Sequence, residues 1–237
     1  MFSSDLVAPS TYSLCTNAAG IAGNLFAFVL FVSPIPTFRR IVTNRSTEQF
    51  SGLPYIYSLL NCLICLWYGT PLVCHGVILV LTVNSIGAVF QLCYASLFIT
   101  YAAKGKRARM IGLLLAVFGI FAVIVFVTLR FLEPDMRRVV VGYLSVASLI
   151  SMFASPLFII NLVIRTRSIE FMPFYLSLST FLMSISFFVY GVMKEDGFIY
   201  VPNGVGTLLG LAQLVLYWYY SRTSSDDRRE PLMASYA

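Results

Sequence analysis

Residues 33–55 read SPIPTFRRIVTNRSTEQFSGLPY, and residues 155–177 read SPLFIINLVIRTRSIEFMPFYLS. An ungapped offset of 122 lays Ser33-Pro34 on Ser155-Pro156, Arg45-Ser46 on Arg167-Ser168 and Glu48 on Glu170. Continuing outward, Tyr68-Gly69 falls on Tyr190-Gly191. The offset then shortens to 119, where Asn84 meets Asn203, Gly87 meets Gly206 and Tyr101 meets Tyr220. An ordered set of matches at one period marks an internal duplication, which decides the architecture before any single motif does.

The repeated unit is built for a bilayer. Of the 237 residues 59% are hydrophobic and 11% charged, where soluble domains carry roughly 25% charge. A chain of this size could not cover its apolar surface with so few charges. A soluble enzyme, a disordered chain and a nucleic-acid binder are excluded, and the net charge of +6 comes from short basic clusters between apolar runs. Uncharged stretches cover 6–38, 49–103, 110–129, 139–164, 171–193 and 198–221. About 20 apolar residues cross a hydrocarbon core, so five stretches hold one crossing each. The second holds two, broken at Gly69-Thr70-Pro71 and His75-Gly76, which makes seven crossings.

Three crossings reverse the chain, so tandem units would be inverted unless an odd helix separates them. The stretch 110–129 has no partner in the repeat and supplies that helix. The predicted fold is all-α integral membrane, two parallel three-helix bundles joined by a linker helix in a 3+1+3 order. Its expected divisions are 1–104, the linker and its flanks at 105–138, 139–222, and a disordered tail at 223–237, which with Thr223, Ser224 and Ser225 and mixed charge reads as a solvated end before it reads as a phosphorylation site.

Orientation follows from the basic residues. Alternate loops collect Arg39, Arg40, Arg45, Lys104, Lys106, Arg107, Arg109, Arg165, Arg167, Arg222, Arg228 and Arg229, which is 12 of the 16; Arg130, Arg137, Arg138 and Lys194 lie opposite. The positive-inside rule puts the first set and the C-terminus in the cytosol and the N-terminus outside or in a lumen. Met1 to Asp5 lacks a basic n-region, so no cleaved signal is expected. The sequon Asn44-Arg45-Ser46 falls on the cytosolic side and is expected to stay unmodified.

The ionisable residues all fall at or near expected helix ends, which leaves no mid-depth carrier for a proton or sodium ion. The five cysteines suggest no disulfide framework. Cys62 and Cys65 form a CxxC without a second ligand pair, so no metal or cofactor is expected. Asn84 and Asn203, matched in the third helix of each unit, are the leading candidates for binding a neutral, hydroxyl-bearing solute, because each amide offers two donors and two acceptors. Cys65 and Phe187, matched at the 122 offset and read as mid-way along the second helices, form a second pair; a phenyl face suits the C–H side of a pyranose. Pro34 and Pro156 lie well inside first helices, where a bend is expected. Pro54 and Pro173 lie near the start of second helices and read either as hinges or as ordinary helix-start prolines. Ala19, Gly23 and Ala27, and Gly206 with Gly210, mark close helix approach.

The two quoted segments, followed by WYG and VYG and then by TVNSIG and VPNGVG, resemble the SWEET (MtN3/saliva) family of sugar facilitators, most closely its plant members, from about Ala18 to Arg222. The resemblance implies ion-uncoupled, bidirectional carriage of sugars, with a glucose-like hexose as the expected substrate. By motif, the pocket asparagines would be Asn84 and Asn203, flanked by Cys65 and Phe187. The proline set would be Pro34, Pro54, Pro156 and Pro173, and Tyr68 and Asp196 would close an outer gate. Many relatives carry tryptophan at the position of Phe187 and serine or asparagine at that of Cys65, so this pocket is less polar than theirs. The resemblance also implies a homo-oligomer in the plasma or vacuolar membrane. Two other readings stand beside it: a seven-helix carrier of another small neutral solute, and a seven-helix receptor.

Overall fold

The computed structural model describes residues 11–170 and 172–234, with side chains to Arg222; residues 1–10, Phe171 and 235–237 lie outside the described residues. Helices α1 (Thr11–Val32) and α2 (Ile35–Asn44) form one bent crossing, followed by α3 (Leu53–Gly69), α4 (Ile78–Tyr101) and α5 (Lys104–Phe131). Helices α6 (Pro134–Met152) and α7 (Ala154–Thr166) form a second bent crossing, followed by α8 (Phe174–Met193) and α9 (Gly197–Ala234). Six of the seven crossings are long and apolar enough to span a membrane. The seventh, α3, is apolar but has only 17 residues, about 26 Å at 1.5 Å per residue. Gly52-Leu53-Pro54 starts it and the extended Thr70 with Pro71 stops it.

In each unit the third helix lies between the other two. Helix α4 packs against both α1 and α3, and α9 packs against both α6 and α8. The bundles then meet along two seams, α1 on α8 and α6 on α3, which the 122 offset exchanges. Small residues make the close approaches. The buried stripe of α1 is Thr16, Gly20, Gly23 and Ala27, so Gly20 joins the expected set while Ala19 sits at its edge. A Cβ on Gly206 would lie 2.8 Å from Ser184 Oγ, and one on Gly210 would lie 3.0 Å from the Phe181 Cα. Such contacts hold helices together where lipid is as apolar as the side chains. Large apolar residues of α5 such as Leu115, Val123 and Phe126 point outward, as a lipid-facing surface requires.

Both expected bends are present, by different means. Pro34 is the N-cap of α2, and the Leu30 carbonyl that its missing N–H leaves free accepts from Ser33 Oγ at 2.8 Å. The next carbonyl, of Phe31, accepts from the Tyr94 hydroxyl at 2.7 Å. In the second unit the break comes at Phe153, three residues before Pro156, which sits in the first turn of α7. Pro54 is the second residue of α3 and Pro173 the N-cap of α8, both positions where a missing donor is harmless.

The turn that follows each first crossing repeats down to its hydrogen bonds. Arg45 and Arg167 both take the left-handed conformation at φ 49°, ending α2 and α7. The Glu48 N–H donates to Ser46 Oγ at 3.2 Å, and the Glu170 N–H donates to Ser168 Oγ at 3.3 Å. Among the described residues the first turn alone adds an ion pair: Arg40 donates twice to Glu48, and Asn44 Nδ2 donates to the same carboxylate at 2.7 Å. These bonds hold the Glu48 carboxyl below the usual range, the Arg40 bond contributing most.

The linker α5 runs alongside α3, α4 and α6. Trp67 Nε1 donates to Thr128 Oγ1 at 3.2 Å, and Arg137 donates to the carbonyls of Thr128, Leu132 and Leu72. Two boundaries differ from those read in the sequence. Helix α6 starts at Pro134 instead of 139, because Asp135, Arg137 and Arg138 form its first turns instead of a charged flank. The backbone of α9 continues as helix to Ala234, past the Arg222 at which the last crossing was expected to end and into the stretch expected to be disordered.

Candidate functional site

A cavity of about 300 Å³ lies between the two units. Asn84, Asn203, Cys65 and Phe187 all line it, so the residues singled out by the repeat come together at one place. Their depth differs from expectation. At 1.5 Å per residue Cys65 is about 6 Å from the Gly69 end of α3, and Phe187 about 9 Å from the Met193 end of α8. Asn84 and Asn203 each lie about 9 Å inside the start of α4 and α9. The reading of Cys65 and Phe187 as mid-way along their helices is therefore corrected. Thr70 turns the chain out of the helix one turn after Cys65, and Val73, Cys74 and Val77 of the segment that follows pack in one core cluster with Tyr68 and Phe187.

The two asparagines are held alike. Asn84 Nδ2 donates to the Val80 carbonyl at 2.9 Å, and Asn203 Nδ2 donates to the Ile199 carbonyl at 2.8 Å. Each side chain is anchored to its own helix one turn back. Each keeps one N–H and the two acceptor sites of its carbonyl oxygen for the cavity, three of the four positions the bare residue offers. Opposite them Phe187 is wedged against α1, where a Cβ on Gly23 would come 2.7 Å from its ring. The 122 offset turns the Gly23–Phe187 pair into Ser145–Cys65. A large ring facing glycine in one seam thus corresponds to two small polar residues in the other, and both of those line the cavity.

Away from the basic loops the cavity is shut. The Tyr68 hydroxyl donates to Asp196 Oδ2 at 2.6 Å, linking the end of α3 to the start of α9, and both residues are 1% exposed. Arg138 Nη2 donates to the same oxygen at 3.2 Å, and the Cys74 thiol at 3.4 Å. Burial pushes the Cys74 thiol up, so it remains a donor. The other oxygen, Oδ1, accepts the Phe198 N–H at 3.0 Å and caps α9. One carboxylate therefore closes the gap between the units and starts a helix. In the other direction the cavity runs along the helices toward the basic loops as far as Leu30, Met152 and Gln91.

The sequence reading missed Arg138, Cys74 and Gln91. Arg138 carried a signal, as one of four basic residues against the charge bias, and its partner is Asp196. Cys74 and Gln91 have no polar counterpart in the other unit and carried none.

Comparison with known proteins accords with this arrangement. The family described as "Sugar efflux transporter for intercellular exchange" matches residues 17–106 and again 139–225, one match per unit. A protein of Sorghum bicolor named "Bidirectional sugar transporter SWEET2a" is 64% identical over 231 residues, 97% of this chain and 95% of that one. "Bidirectional sugar transporter SWEET2" of Arabidopsis thaliana is 61% identical over 228 residues, 96% of this chain and 97% of the relative. A solved structure of a eukaryotic SWEET transporter superimposes with a TM-score of 0.89 at 57% identity, over 90% of this chain and 100% of that one.

Proposed function

Since the chain belongs to the SWEET (MtN3/saliva) family and is a bidirectional sugar transporter rather than an enzyme or a receptor, we propose that it carries hexoses passively, by alternating access around the cavity between its two units. The observation that carries the proposal is the lining: two amides matched by the repeat, an aromatic face, and no charged side chain among the described lining residues. A hydroxyl-rich neutral solute can exchange its water for the free N–H and C=O of Asn84 and Asn203 while Phe187 covers an apolar ring face. A solute with a fixed charge would lose its hydration there without a counter-charge. Among the described lining residues there is no carboxylate, histidine or amine to load with a proton, which supports uncoupled transport.

In this reading the basic loops lie in the cytosol, and the structure is closed by Tyr68 and Asp196 on the other side. The bends before Pro34 and Pro156 let α2 and α7 swing against α1 and α6, while Pro54 and Pro173 free the loops that precede α3 and α8. The cycle returns the empty carrier by the reverse motion. A homo-oligomer in the plasma or vacuolar membrane belongs to the same proposal.

Purified protein in liposomes tests this directly. Labelled glucose should equilibrate across the bilayer at a rate indifferent to an imposed pH gradient, and faster than labelled sucrose. Uptake that needs the gradient overturns the uncoupled mechanism, and preference for sucrose overturns the hexose assignment. The wedge at Gly23 gives a second expectation. Gly23→Ala puts a methyl into the Phe187 ring, which must tilt into the cavity. Glucose uptake should fall by about tenfold, the scale of a misplaced contact worth 1–2 kcal/mol. Gly23→Ala,Phe187→Leu should recover part of it.

A further inference from the structure

Among the described residues, Oε1 of Gln91 is the buried side-chain polar atom that has no hydrogen-bond partner. Gln91 also lines the cavity. It stands seven residues after Asn84 on α4, two turns along the same helix face and about 20 Å from the Ile78 end, close to half-way down that helix. A carbonyl oxygen shut away from water without a donor is unfavourable, and such an atom in a native fold calls for an explanation. Nothing in the other unit balances it. The offset of 119 puts Gly210 at the matching position, where the Cα of Phe181 stands 3.0 Å from an added Cβ. Helices α8 and α9 close up there, whereas the first unit has room for a long amide.

We infer that Gln91 is a sugar-binding residue, an acceptor for a hydroxyl of the solute in the half of the cavity nearer the basic loops, two turns beyond the Asn84–Asn203 pair. This rests on the sugar-carrier reading and deepens it. The terminal torsion of a glutamine is soft, so the amide can turn its oxygen toward a hydroxyl that arrives without moving the helix. The orphaned oxygen then gains on binding what it lacks in the empty carrier, which makes the interaction favour the loaded state. Because the second unit has glycine at this level, the contact is one-sided, and it distinguishes one end of the sugar from the other where the asparagine pair presents two equivalent amides.

The test is a hydroxyl scan in liposomes. Wild type, Gln91→Met and Gln91→Glu are compared for glucose and for the 1-, 2-, 3-, 4- and 6-deoxy analogues. Methionine keeps the length and volume without the acceptor; glutamate keeps an acceptor. Gln91→Met should raise the KM for glucose by about five- to tenfold with little change in maximal rate. The wild type should lose affinity for one deoxy analogue by a similar factor, Gln91→Met should no longer distinguish that analogue from glucose, and Gln91→Glu should distinguish it again. A Gln91→Met protein with the wild-type KM and the wild-type analogue profile overturns the inference. So does one whose maximal rate falls equally for all six sugars at unchanged KM, since that is a packing effect. If the methionine variant does not fold, Gln91→Ser, polar but too short to reach, is judged by the same criterion. A wild type that carries no glucose strikes at the proposed function; a Gln91→Met profile identical to an active wild type strikes at this inference alone.

Discussion

Asn84→Ala and Asn203→Ala should each lower glucose uptake in liposomes by about 5- to 150-fold, the factor that corresponds to about 1–3 kcal/mol for truncating one partner of a buried hydrogen bond. Each alanine removes the N–H and the C=O that face the cavity and leaves a sugar hydroxyl unpaired. The intrahelical bonds to Val80 and Ile199 are lost too, but those carbonyls still accept from the helix backbone. Thermal stability in detergent should therefore move by only a degree or two while transport collapses. Because the pair is one site and not two, the double variant should cost far less than the product of the single losses. Wild-type uptake by either single variant would remove the pair from the site. A fall in melting temperature that matches the fall in transport would reassign both residues to packing.

Asp196→Ala should have the second large effect, on accessibility as well as on rate. Its carboxylate accepts from Tyr68, Arg138 and Cys74 and caps α9 through the Phe198 N–H. Alanine leaves the Tyr68 hydroxyl and the thiol without an acceptor and takes the counter-charge from Arg138. Arg138 is 47% exposed at its side chain, so water offsets most of the lost ion pair, and the buried Tyr68 bond matters more. Closure on this side should weaken by about 2 kcal/mol, enough to shift a closed-to-open ratio some 30-fold. Cys65, buried at 4% exposure beneath the closed end, reports the change. In proteoliposomes a membrane-impermeant thiol reagent applied from the side of residues 70–77 should modify Cys65 in Asp196→Ala and leave it intact in wild type, with modified peptides read by mass spectrometry. Asp196→Asn, which keeps an oxygen to cap α9, should fall between the two. Equal protection of Cys65 in all three proteins would mean that this carboxylate does not hold the gate.

Much of the fold could be read from the chain because a bilayer leaves few choices. Uncharged stretches had to become helices, and Gly69-Thr70-Pro71 had to end one. The repeat that aligned Pro34 with Pro156 at 122 aligned Asn84 with Asn203 at 119, and the structure brings both asparagines to one cavity. What stayed hidden is what the two units do not share. Arg138 was taken for a flank because charge at a span edge is expected there, and the same habit set the start of α6 at 139 instead of Pro134. Gln91 stayed unmarked because its counterpart is a glycine chosen by helix packing, so no search for matched pairs could find it. The depth of Cys65 was misjudged because symmetry fixes which residues correspond and says nothing about how far each lies from the end of its helix.

The cap on α9 has one more consequence. At the 119 offset Asp196 corresponds to Val77, which begins α4 with no side chain to cap it. Because the two units are parallel, even identical halves would leave the two membrane faces inequivalent. The Asp196 carboxylate adds to that inequivalence by holding one face closed. A device without an energy source must still give equal ratios of maximal rate to KM in the two directions, so the bias cannot drive net flow. It can only lower both quantities together for one direction and raise both for the other. For the passive carrier proposed above, this closure would set a difference in both KM and maximal rate between the two directions, with equilibrium untouched.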